Sequence, residues 1–440
     1  MKKTIKKIVQ PIIPKSLINF FHFSESIAAA QKYQHPSNKM IVIGLVGSKG
    51  KTTTANMLWS ILSAEGHKVG LIGTANIRFG QKEELNHYHM TMPGAFVLQG
   101  LLAKMSAMHC KYVVMEVPSE GQTQHRHVGI NFDVLIFTNV TNELMAAHGY
   151  SIDTLHKHNK RVFKRLNHSK RKTIGLQKIA KIIVANIDSK DAPDYLLFQS
   201  DKKITFGRSK DADFRISNIA QIPDKISFDV NGDNYTTKIL GKINAINATG
   251  AIATAVALGI SDRSIKQGLA KLPTIPGRME VIESKQPFAV VVDYAHEQAS
   301  MTALMDSARD MIPKGAKVIT LLGAEGGGRD SAKRPEMGAI CAKGSDIIIL
   351  SNVDPYDDDP EVILADIAEG ALGAGAEKNK SMFIVPDRRE GIRKALQLAQ
   401  KDDLVLITGK GAEQSMEIGG QSIAWDDRKV VREELAKLVG

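Results

Sequence analysis

The chain has 440 residues, of which 43% are hydrophobic and 24% are charged, and its formal net charge is +11. This length exceeds one hydrophobic core, so we expect two or three domains of ordinary soluble composition. An aromatic content of 5%, with no finger spacing and no RNP-type pattern, argues against a nucleic-acid binder. We therefore ascribe the positive charge to attraction of an anionic nucleotide substrate.

Cysteine spacing and hydropathy bear on the location of the protein. Cys110 and Cys341 lie far apart without a CxxC pair, so neither a disulfide framework nor a cysteine zinc site is expected. No apolar run reaches the roughly 18 residues that a membrane-spanning helix needs. We expect a cytoplasmic monomer.

Residues 1–39 form a short basic front segment. Lysines alternate there with apolar residues, and no acid precedes Glu25. A signal peptide is disfavoured, because Pro11 and Pro14 break the apolar stretch and no small-residue cleavage site follows. Two interpretations stay open: a segment that contacts a membrane surface, and an element packed on the body with a solvated lysine face, which is the commoner outcome for charge runs.

Residues 40–274 predict a central domain of the α/β class. Apolar runs rich in β-branched residues predict buried strands at 40–47, 68–74, 110–117, 132–140 and 181–188. Helical segments alternate with strands, and the first of these helices is expected at 52–65. The sheet should therefore be mostly parallel, with right-handed crossovers.

Between 200 and 240 the pattern changes to short alternating segments. A turn at 231–233, with the sequence Asn-Gly-Asp, predicts β-hairpins laid beside the main sheet. The alanine-rich stretch 244–258 then predicts a buried helix, and Pro273 and Pro276 mark a linker.

Residues 275–440 predict a second, Rossmann-like α/β domain. Five apolar strands, each ending in a polar or glycine-rich loop, are expected at 287–296, 316–327, 346–354, 381–387 and 403–411. Because ligands of open α/β sheets bind at the carboxyl ends of the strands, these loops should form the rim of an active site.

The strongest motif is a glycine-rich loop between the first strand and the first helix of the central domain. From Gly44 it fits G-x-x-x-x-x-G-K-T, one residue longer than the standard Walker spacing. Inward-facing N–H groups and a helix N-terminus bind phosphate, which predicts ATP as a ligand and makes this a P-loop domain. The P-loop residues are Gly47, Ser48, Lys49, Gly50, Lys51, Thr52 and Thr53.

Three side chains are expected to contact the nucleotide phosphates or their magnesium ion. Lys51 should reach the β- and γ-phosphates, and the Thr52 hydroxyl should hold Mg²⁺. Glu116, at the end of a predicted strand, can add a second hard oxygen to the magnesium shell.

Further motifs occur in a fixed order along the chain. They are GSKGKTTT (47–54), MEVPSEGQTQHR (115–126), FTNVTNELMAAHG (137–149), PGRME (276–280), VVDYAH (291–296), GAEGGGRDSAKRPEMG (323–338) and ITGKGAEQ (407–414). From Met40 onward the chain resembles the Mur ligase family, and within it the enzymes that add the third residue to a UDP-MurNAc-dipeptide.

This resemblance implies a reaction and a set of site residues. ATP would phosphorylate an acceptor carboxylate, and an amino acid would attack the acyl phosphate. The catalytic candidates are Lys51, Glu116, His148 and Lys160, and the metal candidates are Thr52, Glu116 and His148. Nucleotide contacts from the domain junction are implied for Asn247, Arg278, Asp293 and His296. Substrate contacts are implied for Thr91, Ser119, Gln124, Arg126, Arg329, Lys333, Asp354, Tyr356, Gly409, Lys410 and Glu413.

The family's second magnesium site is altered in this sequence. The usual histidine ligand is replaced by Leu144, and the carbamylated lysine position holds Asn159, with Lys160 beside it. We hypothesise that this second ion is weakly bound, absent, or held instead by Glu143 or His148.

The amino-acid pocket and the front end also depart from the family pattern. Many members carry D-N-P-R, whose arginine grips the distal carboxylate of meso-diaminopimelate. This chain has Asp354-Pro355-Tyr356 followed by three aspartates, and a tyrosine cannot form the bidentate pair of a guanidinium with a carboxylate. An acidic run would suit an ammonium group, so we prefer lysine or another diamino acid as substrate, although the run could instead be a solvated acidic loop. Only 39 residues precede the first strand, whereas the resemblance implies an N-terminal domain of about 90 residues that holds uridine. Either residues 1–39 are a reduced uridine-binding region, or the acceptor is not a UDP-sugar peptide.

Two rival functions follow from these departures. One is a Mur-type ligase that acts on another carboxylate, such as a folylpolyglutamate, polyglutamate, cyanophycin-type or lipid-linked wall-precursor substrate. The other is a nucleotide-binding protein without catalytic activity.

Overall fold

The structure is a computed structural model that describes residues 14–88, 90–141, 151–222 and 224–439. It begins with helix α1 (Lys15–Lys32), followed by a short 3-10 turn. Among the described helices, none is both long and apolar enough to span a membrane.

The strands and helices of the central part alternate as the sequence predicts. The strands are β1 (Ile41–Val46), β2 (Val69–Ile72), β3 (Asn76–Phe79), β4 (Lys82–Leu85), β5 (Tyr112–Glu116), β6 (Val134–Phe137), β7 (Thr173–Ile174), β8 (Gln177–Lys178), β9 (Ile182–Asn186), β10 (Lys202–Gly207), β11 (Phe214–Ile222), β12 (Lys225–Val230) and β13 (Asp233–Thr237). The helices are α2 (Lys51–Ala64), α3 (Ala95–Ala107), α4 (Ser119–Thr123), α5 (Ile152–His168), α6 (Ala192–Leu196), α7 (Ile243–Ala257) and α8 (Asp262–Lys271).

The larger sheet is parallel at its centre and antiparallel at its edges. Its described strands lie in the order β13-β12-β11-β10-β9-β6-β1-β5-β2-β3-β4, and every pair from β10 to β2 is parallel. The expectation of hairpins beside the sheet is correct only for β11–β13, because β10 instead pairs in parallel with β9. Asn231 and Gly232 have φ of 53° and 93°, as a tight hairpin turn requires.

Helices cover both faces of this sheet. One face packs against α2 and α7, and the other against α3 and α5. In α7 the residues from Asn244 to Ala255 are buried, since its small side chains let it lie close to the sheet. A Cβ on Gly250 would meet the Phe206 ring at 2.8 Å. This close packing places the start of α7 beside the start of α2.

The C-terminal part forms a second sheet with helices on both faces. Its strands are β14 (Glu280–Val281), β15 (Ala289–Asp293), β16 (Val318–Leu322), β17 (Ile347–Leu350), β18 (Met382–Ile384) and β19 (Leu404–Thr408), followed by the ribbon β20 (Ser415–Ile418) and β21 (Gln421–Ala424). The helices are α9 (Gln298–Arg309), α10 (Lys333–Gly344), α11 (Pro360–Gly373), α12 (Arg388–Leu398) and α13 (Asp427–Val439). The sheet order is β14-β15-β19-β16-β17-β18, parallel except for β14.

The five strands predicted for the C-terminal domain are therefore confirmed as β15–β19. The predicted boundary at 274/275 falls between α8 and β14, where no helix or strand is formed. The division into domains at 39/40 and 274/275 stays a prediction.

A buried charge cluster holds the amino end of the central strands. Asp133 is fully buried, and its carboxylate accepts from Lys172 Nζ at 2.5 Å, from Lys181 Nζ at 3.1 Å and from the Val42 N–H at 2.9 Å. Burial lowers the pKa of Lys172 to about 8, although Asp133 opposes this shift. The cluster thus ties β1 and β6 to the segments around β7–β9, at the edge opposite the P-loop.

Candidate active site

The P-loop turns at two glycines whose φ is positive, Gly47 at 138° and Gly50 at 82°. A Cβ on Gly47 would lie 2.2 Å from Thr138 Oγ1, so the backbone there requires glycine. Asn139, which follows β6, fixes the loop from the side, because its Oδ1 accepts from the Lys49 N–H at 3.0 Å. The end of β6 therefore sets the shape of the loop.

Lys51 begins α2, and its side chain folds back over the P-loop. Its Nζ donates to the carbonyl oxygens of Gly47 at 2.6 Å and Ser48 at 2.8 Å. Thr52 is buried, with its hydroxyl 3.4 Å from Arg278 Nη2. A cation and a helix N-terminus are thus gathered in one place, an arrangement that favours phosphate binding.

Glu116 ends β5 and is held by a threonine that the sequence did not single out. One carboxylate oxygen accepts from the Thr74 N–H at 2.7 Å, and the other accepts from the Thr74 hydroxyl at 2.9 Å. The Thr91 hydroxyl lies 2.9 Å from the same Thr74 oxygen. Thr74 therefore orients the carboxylate and connects it to the segment around Thr91.

A magnesium ion fits the chemistry of these donors. Mg²⁺ prefers hard oxygens in octahedral geometry and keeps several waters. The Thr52 hydroxyl and the Glu116 carboxylate supply such oxygens, and both line the cleft described below. In the described ranges no group of three or more His, Cys, Asp or Glu side chains could hold a metal by itself.

Three predicted substrate contacts follow β5. Ser119 begins α4, and Gln124 caps its C-terminal end. Arg126 donates to the Met92 carbonyl and to Gln124 Oε1, and burial lowers the pKa of its guanidinium. These partners direct the polar groups of the segment 119–126 toward the cleft.

The start of α7 closes the P-loop on another side. Asn247 lies so close to Gly50 that a side chain there would clash, because a Cβ on Gly50 would lie 2.3 Å from Asn247 Oδ1. Asn247 Nδ2 donates to Asn244 Oδ1 at 2.8 Å, which fixes the orientation of its amide.

Arg278 reaches into the P-loop from the C-terminal part. Its guanidinium lies 4.2 Å from the centre of the Tyr294 ring, and Nη2 reaches the Thr52 hydroxyl. Asp293, at the end of β15, accepts from the Met279 N–H at 2.7 Å. Burial raises the pKa of Asp293, while Arg278 opposes that rise.

A second charged group lies at the start of α10. Lys333 Nζ donates to Glu325 Oε2 and to the His296 carbonyl, both at 3.0 Å. Burial acts to raise the pKa of Glu325, but His296, Lys333 and Arg329 hold it at about 2. An ionised carboxylate flanked by two basic side chains thus faces the cleft.

Lys410 is a buried cation between two acids. Its Nζ lies 2.6 Å from Asp354 and 2.7 Å from Glu413. Burial acts to lower the pKa of Lys410, but Glu413 and Asp354 raise it above the ordinary value. Tyr294 donates to Glu413 at 3.0 Å, so this group connects to the ring beneath Arg278.

The acidic run near Tyr356 is largely engaged within the protein. Asp358 accepts from the Gly327 N–H at 3.0 Å, and Asp359 caps α11. Tyr356 adopts φ 55°, an uncommon value for a side chain of this size. Its N–H donates to the Glu417 carbonyl at 2.9 Å, so the Glu417 backbone is fixed beside it.

One cleft of about 1420 Å³ brings these groups together. It is lined by the P-loop and by Thr91, Glu116, Ser119, Gln124, Arg126, Asn247, Arg278, Asp293, His296, Arg329, Lys333, Asp354, Tyr356, Lys410 and Glu413. Gly409 lies just behind the lining, and its N–H donates to the Asp293 carbonyl at 3.2 Å.

One described catalytic candidate, Lys160, is not brought to this cleft. Lys160 Nζ pairs with Asp194 at 2.6 Å, and Lys160 is not among the lining residues. Asn159 is buried, with Oδ1 at 3.4 Å from Gln122 Nε2. His148, Glu143 and Leu144 lie outside the described residues.

Sequence reasoning missed several residues that shape the cleft. Thr74, Tyr294, Glu325 and Glu417 all line it, and Asn139 holds the P-loop. Tyr294 and Glu325 stand inside motifs of the family resemblance, so their position offered a signal. Thr74 and Glu417 offered none, because their partners are far away in the sequence.

Comparisons with known proteins agree with this architecture. Residues 45–255 match the Mur ligase middle domain, and residues 277–411 match the family described as Mur ligase, glutamate ligase domain. A UDP-N-acetylmuramoyl-L-alanyl-D-glutamate–2,6-diaminopimelate ligase of Clostridium acetobutylicum is 35% identical, covering 94% of this chain and 82% of its own. A UDP-N-acetylmuramyl-tripeptide synthetase of Roseiflexus is 32% identical, covering 93% and 81%.

Solved structures show the same fold. A UDP-N-acetylmuramoyl-L-alanyl-D-glutamate–2,6-diaminopimelate ligase superposes with a TM-score of 0.61 at 25% identity, covering 91% of this chain and 79% of its own. The Mycobacterium tuberculosis folylpolyglutamate synthase complexed with ADP has a TM-score of 0.69 at 16% identity, covering 99% and 97%. The predicted fold class and family are thus confirmed: the chain belongs to the Mur ligase family and is an acid–amino-acid ligase.

Proposed function

We propose that this ligase uses ATP and Mg²⁺ to join a diamino acid, preferentially lysine, to a UDP-MurNAc-dipeptide-like acceptor in peptidoglycan precursor synthesis. The observation that carries the proposal is the single cleft that joins the P-loop, the segment 119–126 and the acidic group around Lys410. A ligase needs the phosphate donor, the acceptor carboxylate and the incoming amine within reach of one another.

The first step would be phosphoryl transfer to the acceptor carboxylate. The bond between the γ-phosphorus and the oxygen that bridges to the β-phosphate breaks, a bond from phosphorus to a carboxylate oxygen forms, and ADP leaves. Lys51 would neutralise the phosphate oxygens, and Arg278 would add positive charge beside Thr52. Ser119, Gln124 and Arg126 would hold the acceptor.

The second step would be attack by the amine. Its nitrogen bonds to the acyl carbon, the carbon–oxygen bond to phosphate breaks, and the proton lost by the amine ends on the departing phosphate. Arg329 and Lys333 would stabilise the departing phosphate, since both side chains line the cleft. The amino acid would lie near Lys410 and Tyr356.

Magnesium, when bound by Thr52 and Glu116, would supply positive charge to the phosphate oxygens. We expect Thr74→Val to raise the Mg²⁺ concentration for half-maximal activity about 10-fold, because Glu116 loses a partner that orients it. Phosphate release measured against Mg²⁺ concentration tests this. Thr302→Val, which removes an exposed threonine hydroxyl bonded to the Gln298 carbonyl at 3.0 Å, should leave the curve unchanged. An unshifted curve in Thr74→Val would exclude this role.

The preference for lysine rests on the charges near Tyr356. Lys410 already neutralises Asp354, so the carboxylate of Glu417, which lines the cleft beside Tyr356, is the acid that would receive a distal ammonium. We expect Glu417→Gln to raise the KM for lysine about 10-fold with little change in kcat, a loss typical of one charged contact. Asp402→Asn, on a turn before β19, is a control of the same chemistry.

The test of the function is phosphate release from ATP with UDP-MurNAc-dipeptide and lysine, compared with meso-diaminopimelate in place of lysine. Release with lysine supports the whole proposal. Release with diaminopimelate alone would overturn the amino-acid preference. Release only with a folate and glutamate would overturn the proposed acceptor. No release with any pair of substrates would overturn the proposed activity.

We also propose a cytoplasmic monomer. Both cysteines are buried free thiols, as a reducing compartment allows.

A further inference from the structure

Two arginines and two histidines lie together where α5 packs beside α4. Arg161 and Arg165 stand four residues apart on α5, so their side chains leave the helix on the same face. His125 and His127 follow α4, and the centres of their stacked rings are 6.3 Å apart. Arg161 Nη1 donates to the Gln122 carbonyl at 3.0 Å, which ties α5 to α4. We call these two arginines and two histidines the basic cluster.

The basic cluster holds partly buried positive charge that no described carboxylate neutralises. Burial lowers the pKa of the Arg161 and Arg165 guanidiniums, and no carboxylate of the described chain opposes it. His127 is 4% exposed, and its Nδ1 has no hydrogen-bond partner among the residues that the structure describes. Burial, Arg165, His125 and Arg161 lower the pKa of His127 to about 3. Desolvated cations without a counter-charge are costly, so an anionic ligand would supply what the cluster lacks.

Other buried arginines of the described chain are neutralised in a different way. Arg334, Arg388 and Arg428 each form an ion pair with an aspartate, at 2.8, 2.7 and 2.6 Å. Arg161 and Arg165 form no ion pair with any described residue, and Arg165 donates no side-chain hydrogen bond to one. The unpaired charge is therefore a property of this place and not of arginine burial in this protein.

The basic cluster lies beside the part of the cleft that would hold the acceptor. Gln124 and Arg126, the two neighbours of His125, line the cleft. His125 adopts φ 55°, a sparsely populated value that sets its ring apart from theirs. Helix α1 packs next to it, since the Phe23 ring lies 5.8 Å from the His125 ring. The segment 116–127 thus leads from the P-loop side of the cleft to the basic cluster.

A diphosphate matches the charge and the spacing of the two arginines. Their attachment points lie about 6 Å apart along α5, from a rise of about 1.5 Å per residue, so each can bind a different phosphate group. Guanidiniums form strong charge-assisted hydrogen bonds with phosphate oxygens. In a UDP-MurNAc-dipeptide the diphosphate joins uridine to the sugar, whereas the reacting carboxylate ends the peptide. The diphosphate therefore belongs away from the P-loop.

We propose that the basic cluster is a binding site for a diphosphate group, separate from the P-loop. Arg161 and Arg165 contact the phosphate oxygens, and the two imidazole rings supply further N–H donors. The assignment of this diphosphate to the acceptor rests on the proposed function. The binding of a diphosphate by the cluster does not.

The first test is calorimetric titration of the full chain with inorganic pyrophosphate, with excess ADP to fill the P-loop and a chelator in place of Mg²⁺. Arg165→Gln should weaken pyrophosphate binding at least about 10-fold, the loss of one charge-assisted contact. Arg165→Lys keeps the charge and should lose less. Arg208→Gln, which removes an exposed guanidinium after β10, and Lys51→Met in the P-loop should leave this affinity unchanged.

The second test decides whether the acceptor carries the diphosphate. Arg165→Gln should raise the KM for UDP-MurNAc-dipeptide about 10-fold with little change in kcat, because the contact is made equally in the bound substrate and in the transition state. The KM for MurNAc-dipeptide, which lacks the diphosphate and uridine, should be the same in the variant and in the unmodified chain. The KM for ATP should also stay unchanged.

The possible results separate the site from its ligand. No pyrophosphate binding, or equal binding by the unmodified chain and by Arg165→Gln, would overturn the site. Weaker pyrophosphate binding with an unchanged KM for UDP-MurNAc-dipeptide would overturn the assignment to the acceptor and leave a site for free diphosphate. Melting curves check that Arg165→Gln is folded. If no substrate pair releases phosphate, the proposed function fails, but the calorimetric titration still decides whether the cluster binds a diphosphate.

Discussion

Lys51→Met is expected to lower the rate of phosphate release about 100- to 1000-fold while leaving the fold intact. Its ammonium group lies over the carbonyl oxygens of Gly47 and Ser48, where the γ-phosphate of a nucleotide would be held. Removing one preorganised group that stabilises developing negative charge costs a factor of this size. Methionine keeps the length of the side chain, so the packing of α2 is preserved.

The measurement is the rate of phosphate release with saturating substrates, together with circular dichroism and a melting curve. Lys82→Met removes an exposed lysine that pairs with Glu84 at 2.8 Å, and it should retain full activity. Activity near the unmodified level in Lys51→Met would remove this lysine from the reaction.

Asp133→Asn is expected to lower the free energy of unfolding by about 3–5 kcal/mol at neutral pH. The substitution keeps the shape of the side chain but leaves Lys172 and Lys181 buried without a negative charge. Loss of one member of a buried ion pair is costly because the remaining charge is desolvated and uncompensated. The cluster lies at the edge opposite the P-loop, so the fraction of the variant that stays folded should keep its ligase activity.

The pH dependence of this loss follows from Lys172. Its pKa is about 8 in the folded protein against 10.5 for an ordinary lysine, because burial disfavours the charged form. Between these values the unfolded chain binds more protons, so this group makes the free energy of unfolding rise with pH. The variant can shed the Lys172 proton, so its loss of stability should be smaller at about pH 9.5 than at about pH 7.

Denaturant unfolding at the two pH values measures both effects. Asp194→Asn, which breaks an exposed pair with Lys160, is the control and should cost little at either pH. If Asp133→Asn lowered the free energy of unfolding no more than the control does, the buried ion pairs of Asp133 would not stabilise the fold.

Local patterns predicted most of the architecture. The P-loop and the strands β1, β5 and β15–β19 were recognisable because each depends on residues adjacent in the sequence. The direction of β10 was not, since parallel pairing with β9 depends on how the chain between them folds back. The same limit applied to Asp354, whose charge is neutralised by Lys410 from 56 residues away.

The candidate site residues show the same division. Motif spacing identified Lys51, Thr52 and Glu116, which line the cleft. Thr74, which orients Glu116 across 42 residues of sequence, could not be found from a pattern. Lys160 had the right residue type beside a family position, but α5 directs it to Asp194 instead.

Arg278 connects the P-loop to the group around Lys410, which has a consequence for how two bound substrates affect each other's affinity. Its guanidinium contacts Thr52 in the P-loop and stacks on Tyr294, whose hydroxyl donates to Glu413 beside Lys410. A nucleotide that displaces Arg278 from Thr52 thus acts on the ring whose hydroxyl holds Glu413, in the region where we propose that the amino acid binds. Thermodynamic linkage then requires reciprocity: whatever factor the nucleotide adds to amino-acid affinity, the amino acid adds to nucleotide affinity.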